Sequence, residues 1–334
     1  MKKMINNIIF IVLIAFVYSC NNSSTNPSAN NPIETPIENV TDYIVKADTT
    51  EADVEAKMQK YFEDKGSYAV FLEDTKENID NNKTLETINT IIKKETYTKD
   101  GVYLDLSRTT ITELADNAFN GNRNLNKVTL PNTITVIGEY AFRDCSSLRE
   151  INFPSSITEI KAGAFQSCLS LQVADLSQTK LTILESNLFL NSSSLTKAVL
   201  PETVTTIKNN SFGDCYALKE INLPSKLSII WPAAFVKCKS LEKISLPSSL
   251  VNMYHYTFGD CTSLKDVEYL GNNPSAITVK LGGVFDGYRY TENSTPVNLY
   301  LPNVASDPKD GSWNNFLNYD WSKHTIHYGK TMPK

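Results

Sequence analysis

The sequence predicts an α/β fold, a solenoid of about eight coils of 23 residues with a parallel sheet of strands along its side. Three observations predict it: a phenylalanine recurs at a fixed spacing, apolar residues alternate after each phenylalanine, and a proline ends five of the coils. A single coil cannot bury its apolar face alone, whereas stacked coils pair their backbones and share one interior. We therefore expect a continuous array over residues 101–302.

Composition and charge limit the classes of function. The chain has 334 residues, of which 41% are hydrophobic and 21% charged, which is typical of a soluble globular protein. It has 32 Lys and Arg residues and 37 Asp and Glu residues, which gives a formal net charge of -5. Because such a chain has no general basic field, a nucleic acid partner is not expected.

The first residues are typical of an export signal. Lys2 and Lys3 precede an apolar run over residues 8–17, which is shorter than a membrane-spanning helix. We assign residues 1–19 to a signal peptide. Residues 20–44 are rich in Asn, Ser, Thr and Pro, and we assign them to a flexible tether.

Cys20 closes the signal, with Ser19 directly before it and Val17 three residues before it. This pattern resembles the lipobox of bacterial lipoproteins, whose cysteine becomes the lipidated first residue of the mature chain. The resemblance implies that Cys20 is lipidated and that the protein is exported and anchored at the bacterial outer membrane or cell surface. The alternative is an ordinary secretory signal with an incidental cysteine.

The repeat is aligned on its phenylalanines, whose spacing is 23 residues except for one interval of 24. The phenylalanines are Phe119, Phe142, Phe165, Phe189, Phe212, Phe235 and Phe258. A leucine follows six residues after each of them, at Leu125, Leu148, Leu171, Leu195, Leu218, Leu241 and Leu264. Apolar residues nine and eleven after the phenylalanine alternate as in a strand, so each coil is predicted to contribute one strand.

The repeating motif reads L-x-x-I-x-L-P followed by I-x-x-I-x-x-x-A-F-x-x-C. Over about residues 101–302 it resembles the leucine-rich repeats of the BspA-like bacterial surface proteins. The resemblance implies a leucine-rich-repeat solenoid with a protein-binding or adhesive surface and without catalytic residues.

Both ends of an open solenoid need caps. Residues 45–100 read as a helical N-terminal cap, in which a helix begins at Thr50 and stops at Gly66. A strand over residues 68–72 is expected to pair in parallel with the first repeat strand, as in a βαβ unit. The alternative is a separately functional domain. Residues 303–334 are dense in aromatic residues and are predicted to form a closing lid, with a recognition site as the alternative.

Five cysteines stand three residues after a phenylalanine, at Cys145, Cys168, Cys215, Cys238 and Cys261. Their spacing does not fit a zinc site, and the last three cannot all pair, so we interpret them as small buried side chains. No phosphate-binding loop, dinucleotide fingerprint or hydrolase motif is present in the sequence. We therefore expect no enzyme activity, cofactor or bound metal.

The candidate binding residues lie on the outward side of the repeats. In the row eight residues after each phenylalanine, neighbours alternate in sign wherever charge is present, and Val173 is the one uncharged member. The charged residues are Lys127, Glu150, Lys197, Glu220, Lys243 and Asp266. Aromatic residues cluster in the last full coil, at Trp231, Tyr254 and Tyr256, and are typical of interface anchors.

Taken together, these features predict an adhesion-type lipoprotein that binds a macromolecule. The expected partner is a protein or glycan, such as a component of the host extracellular matrix, and the membrane is contacted only through the lipid anchor. A structural surface-coat component with no specific ligand is the main alternative, and a hydrolase is the third.

Overall fold

The computed structural model describes residues 40–81, 83–287 and 295–333, which belong to one compact unit. The predicted signal peptide, Cys20 and most of the predicted tether lie outside the described residues. No helix in the described part of the chain is long and apolar enough to cross a membrane.

The N-terminal part contains three α-helices and two strands. In chain order they are a 3-10 helix (Thr41–Tyr43), β1 (Ile44–Val45), α1 (Glu51–Lys65), β2 (Tyr68–Leu72), α2 (Lys76–Asn81), α3 (Thr84–Ile92) and a 3-10 helix (Glu95–Tyr97). The Thr50 side chain accepts a hydrogen bond from the Asp53 amide at the start of α1, and Gly66 ends that helix in the left-handed conformation. Both boundaries of α1 are therefore as predicted.

The predicted end of the tether at residue 44 is wrong by a few residues. Thr41–Tyr43 is helical, and Ile44 and Val45 pair in parallel with Phe71 and Leu72. The reason is a small apolar cluster in which Val40 and Phe71 are buried and Tyr43 packs edge-on against Tyr61. Burial of these side chains offsets the loss of backbone entropy in this short segment.

The repeat array consists of short parallel strands. They are β3 (Val102–Asp105), β4 (Glu113–Leu114), β5 (Leu125–Thr129), β6 (Val136–Ile137), β7 (Glu150–Ile151), β8 (Glu159–Ile160), β9 (Val173–Asp175), β10 (Ile183–Leu184), β11 (Lys197–Val199), β12 (Thr206–Ile207), β13 (Glu220–Ile221), β14 (Ile229–Ile230), β15 (Lys243–Leu246), β16 (Asn252–Tyr254), β17 (Asp266–Tyr269), β18 (Thr278–Lys280), β19 (Asn298–Leu301) and β20 (Thr325–Tyr328).

These strands form two ladders, so the prediction of one strand per coil is wrong. The first ladder contains the odd-numbered strands from β3 to β19 together with β20, and the second contains the even-numbered strands from β4 to β18. The second ladder arises from the I-x-x-I part of the motif, whose second isoleucine is buried while its neighbour faces outward. Strands of two residues are too short to show an alternation in the sequence.

The N-terminal elements extend the first ladder. Strand β2 pairs in parallel with β3, with Tyr68 opposite Val102 and Phe71 opposite Asp105, as the βαβ pattern predicts. Helices α1 and α3 place Val54, Met58 and Ile88 in the same apolar core as the first repeat strands. Since β2 occupies the edge of β3, the first coil does not present a bare interior to solvent.

A stack of phenylalanine rings runs through the interior. Neighbouring rings from Phe119 to Phe258 are nearly parallel, with centroids 5.3 to 5.5 Å apart. Phe285 continues the stack at 6.0 Å from Phe258. The seven leucines that follow by six residues are also buried. The predicted register of the repeat is therefore confirmed in these rows.

The first ladder is interrupted after β7 and after β13. Beside each of these breaks an asparagine follows the last paired strand, and its side chain bonds the backbone of the preceding coil. The Asn152 amide group bonds both the amide and the carbonyl of Leu130, at 2.6 and 3.1 Å. Asn222 does the same to Leu200, at 2.7 and 3.0 Å.

The longer connections that the sequence aligns have matching local bonds. Thr109 donates to the Leu106 carbonyl, and Thr179 donates to the Leu176 carbonyl, at 2.8 and 2.7 Å. The second ladder is interrupted between β8 and β10, in the interval of 24 residues. The added residue therefore breaks the strand pairing between β8 and β10.

Aromatic side chains cover the C-terminal end of the array. Trp313, Phe316 and Trp321 are buried and join the core beside Phe285 and Tyr269. Strand β20, which the sequence does not predict, adds a further parallel strand next to β19. The burial of these rings favours the lid interpretation over a recognition site.

We predict that Phe212→Ala lowers the free energy of unfolding by about 3–5 kcal/mol, because its ring is fully buried between Phe189 and Phe235. Coils contact only their neighbours, so the loss should appear as faster amide hydrogen exchange over residues 189–235 before the ends of the array open. Tyr216→Ala is the control, since this tyrosine of the same coil is exposed. Equal exchange in wild type and the Phe212 variant would contradict the register.

Candidate functional site

The charged row lies along the outward side of the first ladder. Lys127 is paired with Glu150, and their charged atoms are 3.1 Å apart. Lys197 is paired with Glu220 at 2.9 Å, and this contact lowers the pKa of the Glu220 carboxyl below its ordinary value. Both pairs are solvent-exposed, so each contributes little to stability. This part of the face is electrically neutral.

The third pair of the row has different partners. Lys243 and Asp266 are opposite each other in β15 and β17. The Lys243 ammonium nevertheless donates to the Pro333 carbonyl at 3.0 Å, and the Asp266 carboxylate accepts from the Asn298 amide at 2.7 Å. The charge alternation in the sequence therefore corresponds to ion pairs at the first two positions and to other contacts at the third.

The candidate aromatic residues lie on the second ladder. The rings of Trp231 and Tyr254 are parallel within 3°, with centroids 5.1 Å apart. The ammonium of Lys280 lies 5.6 Å from the Tyr254 ring centroid, and Tyr254 is opposite Lys280 in the strand pairing. Trp231 remains 37% exposed. The two rings thus form a fixed, partly exposed pair at the surface.

Next to this pair is a shallow cleft with a volume of ≈ 260 Å³. It is lined by Asn209, Asn210, Pro232, Ala233, His255 and Tyr256. The His255 ring packs edge-on against Tyr256 at 4.7 Å, and its Nδ1 atom is buried without a hydrogen-bond partner. We call Trp231, Tyr254, His255 and Tyr256 the aromatic patch.

Tyr256 has a left-handed backbone conformation, which the repeat imposes on this position in all seven coils. Like Asn210 and Ala233, it stands two residues before a phenylalanine and adopts a left-handed conformation, with φ of 57°. Asparagine and glycine tolerate this conformation, whereas a tyrosine there is strained by about 1–2 kcal/mol. The sequence contains a sign of this left-handed conformation, because Asn or Gly occupies the position in four of the seven coils. The residues at this position are Asn117, Tyr140, Gly163, Asn187, Asn210, Ala233 and Tyr256.

From the repeat pattern, the charged row and the aromatic residues are expected on one outward surface. The charged row belongs to the first ladder and the Trp231–Tyr254 pair to the second. Buried side chains of both ladders share one core, so their outward side chains point in different directions. The two sets are therefore separate surfaces. The cause is the second strand of each coil, which the sequence pattern does not reveal.

The cysteine row is buried, and all five cysteines of the described residues are unpaired thiols. The Cys145 thiol donates to the Phe119 carbonyl of the preceding coil at 3.1 Å, and Cys215 donates to Phe189 in the same way. Burial raises the pKa of Cys145 to about 12. Their interpretation as packing residues is confirmed, with an added bond between coils.

His324 and His327 are held by aromatic contacts. The His324 ring lies 3.2 Å from the Tyr319 hydroxyl, and the His327 ring stacks on Tyr300 with centroids 4.4 Å apart. Within residues 40–81, 83–287 and 295–333, no group of three His, Cys, Asp or Glu side chains could hold a metal ion.

The two ladders, the phenylalanine stack and the buried leucines define the class of the protein as a leucine-rich-repeat solenoid. The family described as "BspA type Leucine rich repeat region" matches residues 112–235 and 182–280 in six copies. The chain belongs to this family. Members are typically cell-surface proteins, and repeat proteins of this class commonly bind other proteins and are generally not enzymes.

Several solved structures are similar to the chain. A leucine-rich cell surface protein from Faecalibacterium prausnitzii A2-165 is 20% identical, with coverage of 69% of this chain and 79% of that chain and a TM-score of 0.40. The T. pallidum leucine-rich repeat protein is 26% identical, with coverage of 51% and 73% and a TM-score of 0.37. A leucine-rich repeat protein from Bacteroides ovatus ATCC 8483 is 20% identical, with coverage of 65% and 64% and a TM-score of 0.36. No curated protein matches the chain in sequence.

We predict that alkaline pH destabilises the fold through the cysteine row. Because burial raises the pKa of Cys145 from 9.0 to about 12, the folded chain keeps a proton that the unfolded chain releases above pH 9. Stability that is present below pH 9 is lost as the pH rises toward 12, by about 1.4 kcal/mol per pH unit for this thiol.

Denaturant unfolding of wild type and Cys145→Ser at pH 8 and pH 10.5 measures this effect. Serine is a suitable replacement, because Ser192 holds the same position in another coil and donates to the Phe165 carbonyl at 2.9 Å. The serine variant should lose less stability between the two pH values than wild type. An identical loss in both proteins would contradict the contribution of the Cys145 thiol.

Proposed function

We propose that the protein is a lipid-anchored surface lipoprotein that binds a host or matrix protein in an adhesion-type interaction. The observation that carries the proposal is the aromatic patch, in which two rings are stacked and partly exposed beside a cleft. Tyrosine and tryptophan contribute much of the binding energy at protein interfaces, because they bury a large area and lose little conformational freedom.

The repeat scaffold favours this role for the patch. Trp231 directly follows β14 and Tyr254 is the last residue of β16, and both strands are paired on each side within the second ladder. Their rings are therefore ordered before a partner arrives, which lowers the entropy lost on binding.

In this proposal the charged row has a lesser part. Lys127, Glu150, Lys197 and Glu220 are already paired with each other. A partner that contacts them gains little net charge attraction, so the pairs orient the partner more than they strengthen its binding. Lys243 and Asp266 also belong to the proposed surface, but their contacts are to other parts of the chain.

The proposed anchor is Cys20, which follows the signal peptide and precedes the polar tether. Lipidation accounts for the one cysteine that stands outside the repeat positions. A tethered lipoprotein holds its repeat array away from the lipid surface, where an extracellular partner can reach the patch.

We predict that Tyr254→Ala and Tyr256→Ala together weaken binding to an immobilised extracellular matrix protein at least tenfold, since they remove two anchor rings. Lys127→Ala should change binding less than twofold. Surface plasmon resonance of the full chain over a panel of matrix proteins, at low and moderate salt, measures both effects. Binding should depend only weakly on salt, because the charges of the row are paired.

Tyr256→Asn separates binding from folding. Asparagine accepts the left-handed backbone that Asn210 shows at the same repeat position, so this variant should unfold at a higher temperature while it binds less tightly. Retained binding in the double alanine variant, together with loss of binding between low and moderate salt, would move the site to a charged surface such as the acidic N-terminal cap.

We predict that Cys20→Ser releases the protein from the membrane into the periplasm or medium, because serine cannot carry the thioether-linked lipid. Detergent phase separation of cells that express each variant measures the partitioning. Cys145→Ser is the control and should partition with wild type, since this thiol is buried in the repeat interior. Unchanged partitioning of the Cys20 variant would show that the anchor is not at this cysteine.

A further inference from the structure

The chain after β20 crosses the outward side of the first ladder. The Met332 amide donates to the Glu268 carboxylate at 2.9 Å, and the Pro333 carbonyl accepts from the Lys243 ammonium at 3.0 Å. The other Glu268 oxygen accepts from the Ser245 hydroxyl at 2.7 Å. Three side chains on β15 and β17 therefore form a site, and the last described residues occupy it. We call Lys243, Ser245 and Glu268 the tail site.

The tail site differs from the equivalent positions of earlier coils. At the lysine position, Lys127 and Lys197 are paired with a glutamate of the next strand. Lys243 is opposite Asp266, but Asn298 donates to that carboxylate and Lys243 contacts the tail.

A second outward column of the repeat contributes to the same site. The residue ten after the phenylalanine is asparagine in the coils of Asn152 and Asn222, and both side chains bond backbone groups of the preceding coil. In the last full coil this residue is Glu268, whose carboxylate contacts Ser245 and the tail instead. The altered contact of Lys243 and the carboxylate of Glu268 thus meet at one site.

The chemistry of the tail site matches a peptide main chain. A carboxylate accepts from an amide N–H and an ammonium donates to the next carbonyl, and both tail groups that are bonded belong to the backbone. With the tail in place Glu268 is only 8% exposed, and its carboxylate has one bond fewer when the tail leaves. Such a group favours a replacement donor over an empty site.

We infer that the tail site is a peptide-binding site, held in cis by Met332 and Pro333, and that a non-helical peptide segment of a partner protein takes it when the tail leaves. The inference rests on the proposed function only in requiring a protein partner, because the aromatic patch lies on the other ladder. The bound segment must supply a main-chain N–H followed by a carbonyl. A peptide with proline at the position of Met332 lacks that N–H and is excluded.

Peptide binding to the full chain tests the inference. The probe is a fluorescein-labelled peptide with the sequence of residues 329–334, followed by fluorescence anisotropy. In wild type the cis tail competes at high effective concentration, so binding is weak. Met332→Pro removes the N–H donor of the tail and should strengthen peptide binding at least tenfold, whereas Met332→Ala keeps the donor and should behave as wild type.

Variants of the site complete the test. In the Met332→Pro background, Lys243→Ala and Glu268→Ala should each reduce peptide binding at least fivefold, and a probe peptide with proline in place of methionine should not bind. Trp231→Ala with Tyr254→Ala should leave peptide binding unchanged, which separates this inference from the proposed function. Equal peptide binding in wild type and Met332→Pro would overturn it, as would a dimer that exchanges its tails.

Amide hydrogen exchange gives a second measurement that does not depend on the proline variant. In the full chain the Met332 amide should be protected, and Lys243→Ala should increase its exchange rate at least fivefold by loosening the tail. Lys127→Ala is the matched control, because it removes an exposed lysine of the same row whose partner is Glu150. Fast exchange of Met332 in wild type would contradict the docked tail.

Discussion

The stack of phenylalanine rings is the interaction on which the rest of the structure depends. Ring centroids lie 5.3 to 5.5 Å apart through the seven coils, close to the spacing of about 4.8 Å between hydrogen-bonded strands. Since the ring stack and the strand ladders have nearly the same repeat distance, every coil can satisfy both at once. The thiol of the next coil then bonds the carbonyl of the same phenylalanine, as Cys145 does with Phe119.

This shared spacing places equivalent residues of all coils in columns. Inward columns are therefore restricted to apolar and small side chains, with Phe and Leu in the most regular rows, while outward columns are free to vary. Lys127 and Glu150 can pair across two strands because the columns keep their register. The residues of functional interest are those that differ in chemical type from the other residues of their outward column. Trp231 and Tyr254 replace the polar residues Lys208 and Glu185 of earlier coils, and Glu268 stands in a column that contains asparagine in two earlier coils.

The parts of the fold that the sequence predicts are those with a local or periodic cause. The Phe and Leu rows, the buried cysteines and the boundaries of α1 at Thr50 and Gly66 all follow from short-range patterns. The second ladder was missed because strands such as β14 have two residues and show no alternation. The tail contact was missed for another reason. Lys243 and Pro333 are 90 residues apart, and no local pattern relates them.

The two candidate binding surfaces share the same coils. Trp231 directly follows β14 and Tyr254 ends β16, while Lys243 and Glu268 lie in β15 and β17. Phe235 and Phe258 stand between these strands in the chain, and their rings are stacked at 5.4 Å in the common core. A coil whose interior is fixed by this contact can change its outward residues on both ladders without loss of register. Because the ring stack is the same in each coil, two different surfaces can lie on one pair of coils.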